Sequence, residues 1–386
     1  MIPERPALER RILAALAASR IPVLLGGCGS GRTSLLQRVG NIIGPTRSQY
    51  VDIERAASTP EGFAAAVMEQ SPYAPPSDAE APSAGGRNAR AALDRLLRFL
   101  CEARAEDGGA AVFLIDEVLE LRSFESFPGL RGVLRELIDT LAASPNRFVV
   151  TTRYVSRAHR LLRDAPDRFE VIHVPPLSPG EIATTLLALN VGGDDAERAD
   201  LSRMIHALTD GRPTYVRTLA QAISAMEGAS SGDPVSALAA ELAVGAHLCL
   251  VCRFSYELRL HRARGYGALK AILLVLAEEE PLALTEIAHR LGRTPGSTKD
   301  YLTWLEDVDL VSVRHKRYSF GDPLLRLWVR LHCRPTPPGE SDLAREVQEY
   351  AVSRLPYIDA VVAPRPPERE TETETEEKAW SIIEID

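Results

Sequence analysis

In the first half of the chain, short runs of consecutive apolar residues alternate with stretches in which apolar residues recur every three or four positions. Five runs read as strands: IPVLL from Ile21, SQYVDIE around Val51, AAVFLIDEV around Leu114, RFVVTTR around Val149 and FEVIHV around Ile172. Strands that are apolar throughout and separated by helical segments predict a parallel sheet covered on both faces, an α/β fold. A ligand of such a sheet sits at the carboxyl ends of its strands. After Val174 the pattern, starting PPLSPGEIATTLLALN, turns helical through Glu227 and predicts a helical lid.

The stretch GASSGDP, from Gly228 to Pro234, reads as a joint, and from Tyr266 a different unit begins. GALKAILLVLAEEE is an amphipathic helix, LTEIAHRLG a second with Thr285 as N-cap, GRTPG a turn, STKDYLTWLEDVDL a third helix and LVSVRHKRYSF a hairpin. That order predicts a C-terminal winged helix-turn-helix domain. The expected divisions are a sheet core over 1–177, the lid over 178–232, a connecting helix over 233–264, the winged helix over 265–335, a C-terminal helix over 336–362 and an acidic tail over 363–386.

The strand at Ile21 runs into GGCGSGRTS, in which Gly26 and Gly31 occupy the fixed glycines of the phosphate-loop pattern G-x-x-x-x-G-K-[ST]. Backbone N–H groups from Gly27 through Cys28, Gly29, Ser30 and Gly31 to Arg32 are placed to face a phosphate, with the positive end of the following helix behind them. Thr33 stands at the hydroxyl position for magnesium, and Ser34 follows it. Arg32 replaces the lysine of the pattern; a planar guanidinium keeps the charge but not the shape, so phosphate binding is expected to survive better than turnover. A glycine-rich turn without a ligand is the plain alternative.

In AAVFLIDEV the apolar strand ends in Asp116 and Glu117, where a phosphate-loop enzyme needs two carboxylates. Asp116 would share the metal with Thr33, and Glu117 would orient or deprotonate water. Alone, such a pair is equally well a helix start satisfied by the helix dipole. RFVVTTR delivers Thr151, Thr152 and Arg153 to the same sheet edge, where a hydroxyl or guanidinium can sense a terminal phosphate. Arg147, Arg157 and Arg160 are all near enough in sequence to be arginine fingers.

Composition changes the picture little. The 386 residues are 45% apolar and 25% charged, ordinary for a globular chain of two or three domains. No apolar run approaches the roughly 20 residues that span a bilayer, and MIPERPALERR lacks the apolar stretch of a signal peptide, so the expectation is no membrane and a cytoplasmic location. Five cysteines fit a reducing compartment, and the only C-x-x-C, Cys249 and Cys252, has no second pair to complete a zinc site. The eight histidines show no metal-ligand spacing. Of the net charge of −8, the residues from Glu368 to Asp386 contribute −6, leaving a nearly neutral body. That tail is expected to be disordered, and its end, Trp380 to Ile385, offers a dock for a protein partner. The segment SPYAPPSDAEAPSAGG from Ser71 reads as a surface loop.

These motifs, in this order, resemble the STAND branch of the AAA-like P-loop ATPases, especially the archaeal-type ATPase family with a C-terminal winged helix. GGCGSGRTS resembles the phosphate loop, FLIDE the acidic motif, VVTTR the sensor strand with Arg153 as sensor arginine, DGRPTYVRTLA the G-x-P lid motif and YSFGDPLLRLW the close of the winged helix. The resemblance implies a P-loop NTPase core, ATP and Mg2+ as ligands, Glu117, Arg32 and Arg153 as catalytic groups, and Pro213 packed near the adenine. It implies a nucleotide switch, oligomeric or not, whose winged helix often serves as an internal regulatory module.

Two other readings stay open. One is a DNA-binding regulator: the hairpin carries Arg314, His315, Lys316 and Arg317, suited to DNA phosphates, although the third helix sets only Lys299 against Asp300, Glu306, Asp307 and Asp309. The other is a scaffold that recruits a partner through its acidic tail.

Overall fold

A computed structural model describes residues 4–355 apart from 58, 74–87, 227–231, 264, 335 and 337. Most of the segment expected as a surface loop around Ala81, most of the joint at Gly228, and the acidic tail lie outside the described residues. Helix α1 (Pro6–Ala17) leads into β1 (Ile21–Leu25) and α2 (Arg32–Ile43). There follow β2 (Ser48–Asp52), α3 (Ile53–Ala56), α4 (Pro60–Glu69), α5 (Ala89–Glu102) and β3 (Val112–Asp116). A 3-10 helix (Val118–Ser126), α6 (Val133–Ala143), β4 (Arg147–Thr152), α7 (Val155–Leu162) and β5 (Phe169–His173) complete the core.

The five strands form one parallel sheet in the order β2-β3-β4-β1-β5. Side chains alternate across each strand, so one face contributes Val23, Phe113, Ile115 and Phe148 to a core with α5 and α6, and the other contributes Leu24, Leu114 and Val149 to a core with α1 and α2. Both faces being covered explains why the strands read as unbroken apolar runs. Because β4 stands between β1 and β3, the tips of these three strands put the loop, a pair of hydroxyls and two carboxylates side by side.

The lid consists of α8 (Pro179–Ala188), α9 (Asp195–Thr209) and α10 (Pro213–Met226), with Ser178 and Glu181 closing a capping box at its start. The single connecting helix expected over 233–264 is two helices, α11 (Pro234–Leu242) and α12 (His247–Arg262). Gly245, at φ +87°, sits in the break in a conformation that favours glycine. The C-terminal unit runs α13 (Tyr266–Glu278), β6 (Leu282–Ala283), α14 (Leu284–Arg290), α15 (Pro295–Asp307), β7 (Val311–Arg314) and β8 (Arg317–Phe320), with an antiparallel sheet in the order β6-β8-β7. Helices α16 (Pro323–His332) and α17 (Glu340–Arg354) follow.

Two local expectations are corrected here. Ala283, not Thr285, is the N-cap of α14, because pairing with Arg317 keeps the chain extended to Ala283, whose N–H donates to Glu286 at 2.5 Å. The turn GRTPG is shorter than expected, since Thr294 caps α15 and Pro295 and Gly296 already belong to it. Helix α15 docks on α7: Asp309, just past its end, accepts from Ser156 Oγ at 2.6 Å, and Arg160 pairs with Asp307. Among the described residues no single helix is long and apolar enough to cross a membrane.

Candidate functional site

The loop at the end of β1 turns through Gly29 at φ +74° and Gly31 at φ +85°, both conformations that disfavour a side chain. Gly31 is the N-cap of α2 and offers no side-chain acceptor, so the first N–H groups of the helix point into the loop without a cap. Thr33, in the first turn, donates from Oγ1 to Asp116 Oδ2 at 2.7 Å. The Tyr50 hydroxyl donates to the same oxygen at 2.9 Å, and Thr151 Oγ1 donates to Asp116 Oδ1. Burial, then Asp116, pushes the Tyr50 phenol far above its ordinary value.

Glu117 adopts a left-handed conformation at φ +54°, which an ordinary residue holds only when its surroundings fix it. Its N–H donates to Thr151 Oγ1 at 3.2 Å, and its carboxylate is buried between two guanidinium groups. Arg32 Nη2 lies 2.5 Å and Arg153 Nε 3.1 Å from Glu117 Oε1, and the Arg153 N–H donates to Oε2 at 3.0 Å. Arg153 in turn pairs with Glu54. The result is a buried chain of alternating charge, Glu54, Arg153, Glu117 and Arg32. Burial alone would raise the Glu117 pKa, but Arg32 and then Arg153 outweigh it and hold the carboxyl below the ordinary glutamate value.

Arg32, only 5% exposed, folds over its own loop, donating from Nη1 to Gly27 O at 2.7 Å and to Ser30 Oγ at 3.1 Å. Its Nε is buried without a hydrogen-bond partner. An uncapped helix start, a loop turned by Gly29 and Gly31 at positive φ and an orphaned guanidinium N–H together fit a phosphate. The hard oxygen donors of Thr33 and Asp116 fit magnesium.

The lid closes one side of the loop. Thr214 N donates to Gly29 O at 3.2 Å, and Pro213 packs on Gly31, lining a narrow slot with Val174, Ser34 and the buried Arg5. Arg212 reaches in two directions. Its Nη1 lies 3.5 Å from Cys28 O and 3.4 Å from Asp322 Oδ2, and Nη2 donates to Gly321 O at 3.0 Å. The Tyr215 hydroxyl donates to the same Asp322 oxygen at 2.8 Å, and the other carboxylate oxygen caps α16 at Leu325 N.

The loop residues Gly26 to Ser34, Asp116, Glu117, Arg153 and Pro213 thus lie around one position, as the motifs suggest. Thr151 and Thr152 differ from the phosphate-sensing hydroxyls expected of them. Both are fully buried and are spent inside the protein, Thr151 on Asp116 and Glu117, Thr152 on the N–H of Tyr154. Arg147 begins β4 and so lies at the end of the sheet away from the loop, and Arg160 is paired with Asp307. Glu54, Tyr50 and Arg212 are site residues that no motif announces, although Arg212 lies inside DGRPTYV. The buried pair Cys249 and Cys252 belongs to helix packing: Trp328 Nε1 donates to Cys249 Sγ at 3.4 Å, and no metal-ligand cluster occurs among the described residues.

No protein-family model and no curated protein matches the chain. Solved structures do. The Walker-type ATPase paby2304 of Pyrococcus abyssi superposes with a TM-score of 0.60 at 17% identity, over 85% of this chain and 96% of that one. Looser matches are RuvB of Thermotoga maritima, at a TM-score of 0.42 and 14% identity over 82% and 92% of the two chains, and the Aeropyrum pernix ORC1 protein in complex with DNA, at 0.41 and 14% over 94% and 95%. The likeness to the Pyrococcus protein, over most of both chains, says how this one is built: it has the fold of a Walker-type, P-loop ATPase.

Proposed function

We propose that this protein is a nucleotide switch that binds ATP with Mg2+, hydrolyses it slowly or not at all, and transmits the nucleotide state to its C-terminal unit, read as a winged helix. Residues 1–177 are the ATPase core in this reading. The loop N–H groups from Gly27 to Arg32 hold the phosphates, Thr33 and Asp116 hold the metal, and Pro213 packs by the base. Bound Mg2+ would neutralise charge across the phosphates. Arg32 has two anionic claimants, Glu117 and the incoming phosphate. Glu117 is able to turn toward water only after both Arg32 and Arg153 let it go, which supports slow turnover.

The observation that carries the reading is Arg212, one guanidinium set between the carbonyl of Cys28 in the loop and Asp322 at the start of α16. A ligand that shifts the loop therefore shifts a residue fastened to the C-terminal unit. With MgATP, the wild-type protein is expected to gain thermal stability and Arg32→Ala to lose most of that gain. Steady-state phosphate release should rise in Arg32→Lys and vanish in Glu117→Gln. An unchanged MgATP shift in Arg32→Ala would falsify the phosphate-loop reading, and equal release in all proteins would remove the hydrolysis.

The engagement of Asp307 and Asp309 with α7 supports an internal regulatory module, because the acidic end of α15 is turned to the core. The basic hairpin from Arg314 to Arg317 keeps duplex DNA as a second reading, tested by a salt titration of binding. Recruitment of a partner by the tail is tested by deleting the residues after Pro367. Five free cysteines suit a reducing, cytoplasmic setting for this switch.

A further inference from the structure

Away from the phosphate loop, the 3-10 helix, α7, the end of α12 and α15 wall an open polar cleft of about 860 Å3. Four arginines line it: Arg122, Arg131, Arg157 and Arg262. The carboxylates nearby are engaged. Glu120 holds Arg262 at 2.7 Å and accepts from the Tyr154 hydroxyl at 3.0 Å, Asp307 holds Arg160, and Glu125 lies 3.5 Å from Arg122. Among the described residues, the guanidinium groups of Arg131 and Arg157 have neither a hydrogen bond nor an ion pair. Arg157 is half-buried, with its guanidinium 5.3 Å over the Tyr154 ring and its Nε sealed from solvent. Burial, then the neighbouring charge of Arg122, lowers its pKa. Arg157 is thus partly stripped of water beside the exposed Arg122, Arg131 and Arg262, and an anion against it removes the electrostatic cost.

The cleft has a second property that a bare anion does not need. Trp304 of α15 forms part of its wall, a half-buried indole beside the guanidinium groups. Cationic groups interleaved with an aromatic face bind a strand whose bases are splayed out, the phosphates on one side and a base on the other.

We propose that this cleft binds single-stranded nucleic acid, with phosphates on Arg131 and Arg157 and a base against Trp304. The site is separate from the phosphate loop and from the basic hairpin, and the proposal stands whether or not the protein binds ATP.

The test is fluorescence anisotropy of a labelled 12-nucleotide oligo(dT) with the full chain, without nucleotide, across a salt series. Binding should weaken with salt. The double variant Arg131→Gln/Arg157→Gln should lose about ten-fold in affinity and flatten the log–log salt slope by about 1.4, the share of two phosphate contacts on a single strand. Trp304→Ala should lose about five-fold or more. Arg157→Lys, which keeps the charge, should bind within about three-fold of wild type, and unchanged thermal melting of each variant shows that it folds. Neutralising Arg314, Lys316 and Arg317 should leave oligo(dT) affinity within about two-fold. No binding at low salt, equal affinity in the double variant, a loss confined to the hairpin variant, or displacement by tripolyphosphate or polyglutamate as effective as by unlabelled oligo(dT) would each overturn the proposal.

Discussion

Glu117 presses one carboxylate oxygen against Arg32 and Arg153 while its backbone is held in the left-handed region. Folding lowers its pKa even though burial works the other way, so the native protein binds fewer protons here than the unfolded chain. The stability this group supplies is complete above the ordinary glutamate value of about 4.5 and is lost as pH falls through the lower folded value. Thermal midpoints measured from pH 7 to pH 3 should drop steeply at the acid end in wild type and more gently in Glu117→Gln. Parallel acid limbs would refute the depressed pKa. The loop and both carboxylates were legible from residue spacing, because they act through backbone turns and strand ends. The Arg32–Glu117 pair was not, since its members are 85 residues apart and no local pattern links them. The same applies to Tyr50 on Asp116 and to the hydroxyl of Thr151, which reads as a phosphate sensor in sequence and is spent on Asp116 and Glu117 in place.

Between elements, the side chain of Asn146 joins the end of α5 to the starts of β3 and β4. Fully buried before β4, it donates from Nδ2 to the carbonyls of Leu100 at 2.9 Å, Cys101 at 3.2 Å and Ala103 at 3.0 Å, and accepts from Ala111 N at 3.0 Å. The carbonyls at the end of α5, which also accept from Arg104 and Ser144, are thus tied to the chain entering β4. Asn146→Ala leaves the buried Ala111 N–H without its partner, whereas Ser144 Oγ still reaches Leu100 O and Arg104 Nη1 still reaches the Cys101 and Ala103 carbonyls; it should cost about 1–3 kcal/mol, read as a lower urea midpoint with an unchanged m-value. A cost below about 0.5 kcal/mol would mean that water replaces the amide. Helices and long apolar strands were legible because their period is set by which face is buried. The two-residue β6 was not: Leu282 and Ala283 are strand only because Tyr318 and Arg317 pair with them. The division of α11 from α12 had its signal in Gly245, hidden in a stretch of strong helix formers.

For the molecule as a whole, the contacts between core, lid and C-terminal unit include Arg212 with Cys28 and Asp322, Ser156 with Asp309, and Arg160 with Asp307. Of these, only the first touches the phosphate loop. Arg212→Ala should weaken MgATP binding by less than about ten-fold, while hydrogen exchange in α15 and α16 should cease to respond to nucleotide. A response that persists would place the coupling in contacts other than Arg212.

Asp322 is 2% exposed and divides its two oxygens, one fastening the first turn of α16 and the other the phenol of Tyr215 and the guanidinium of Arg212. A swing of the C-terminal unit away from the lid has no comfortable halfway point, because a small displacement strands a carboxylate in a dry seam before solvent arrives to replace what it lost. In the proposed switch, this joint is therefore expected to pass abruptly between closed and open, with intermediate angles scarcely populated.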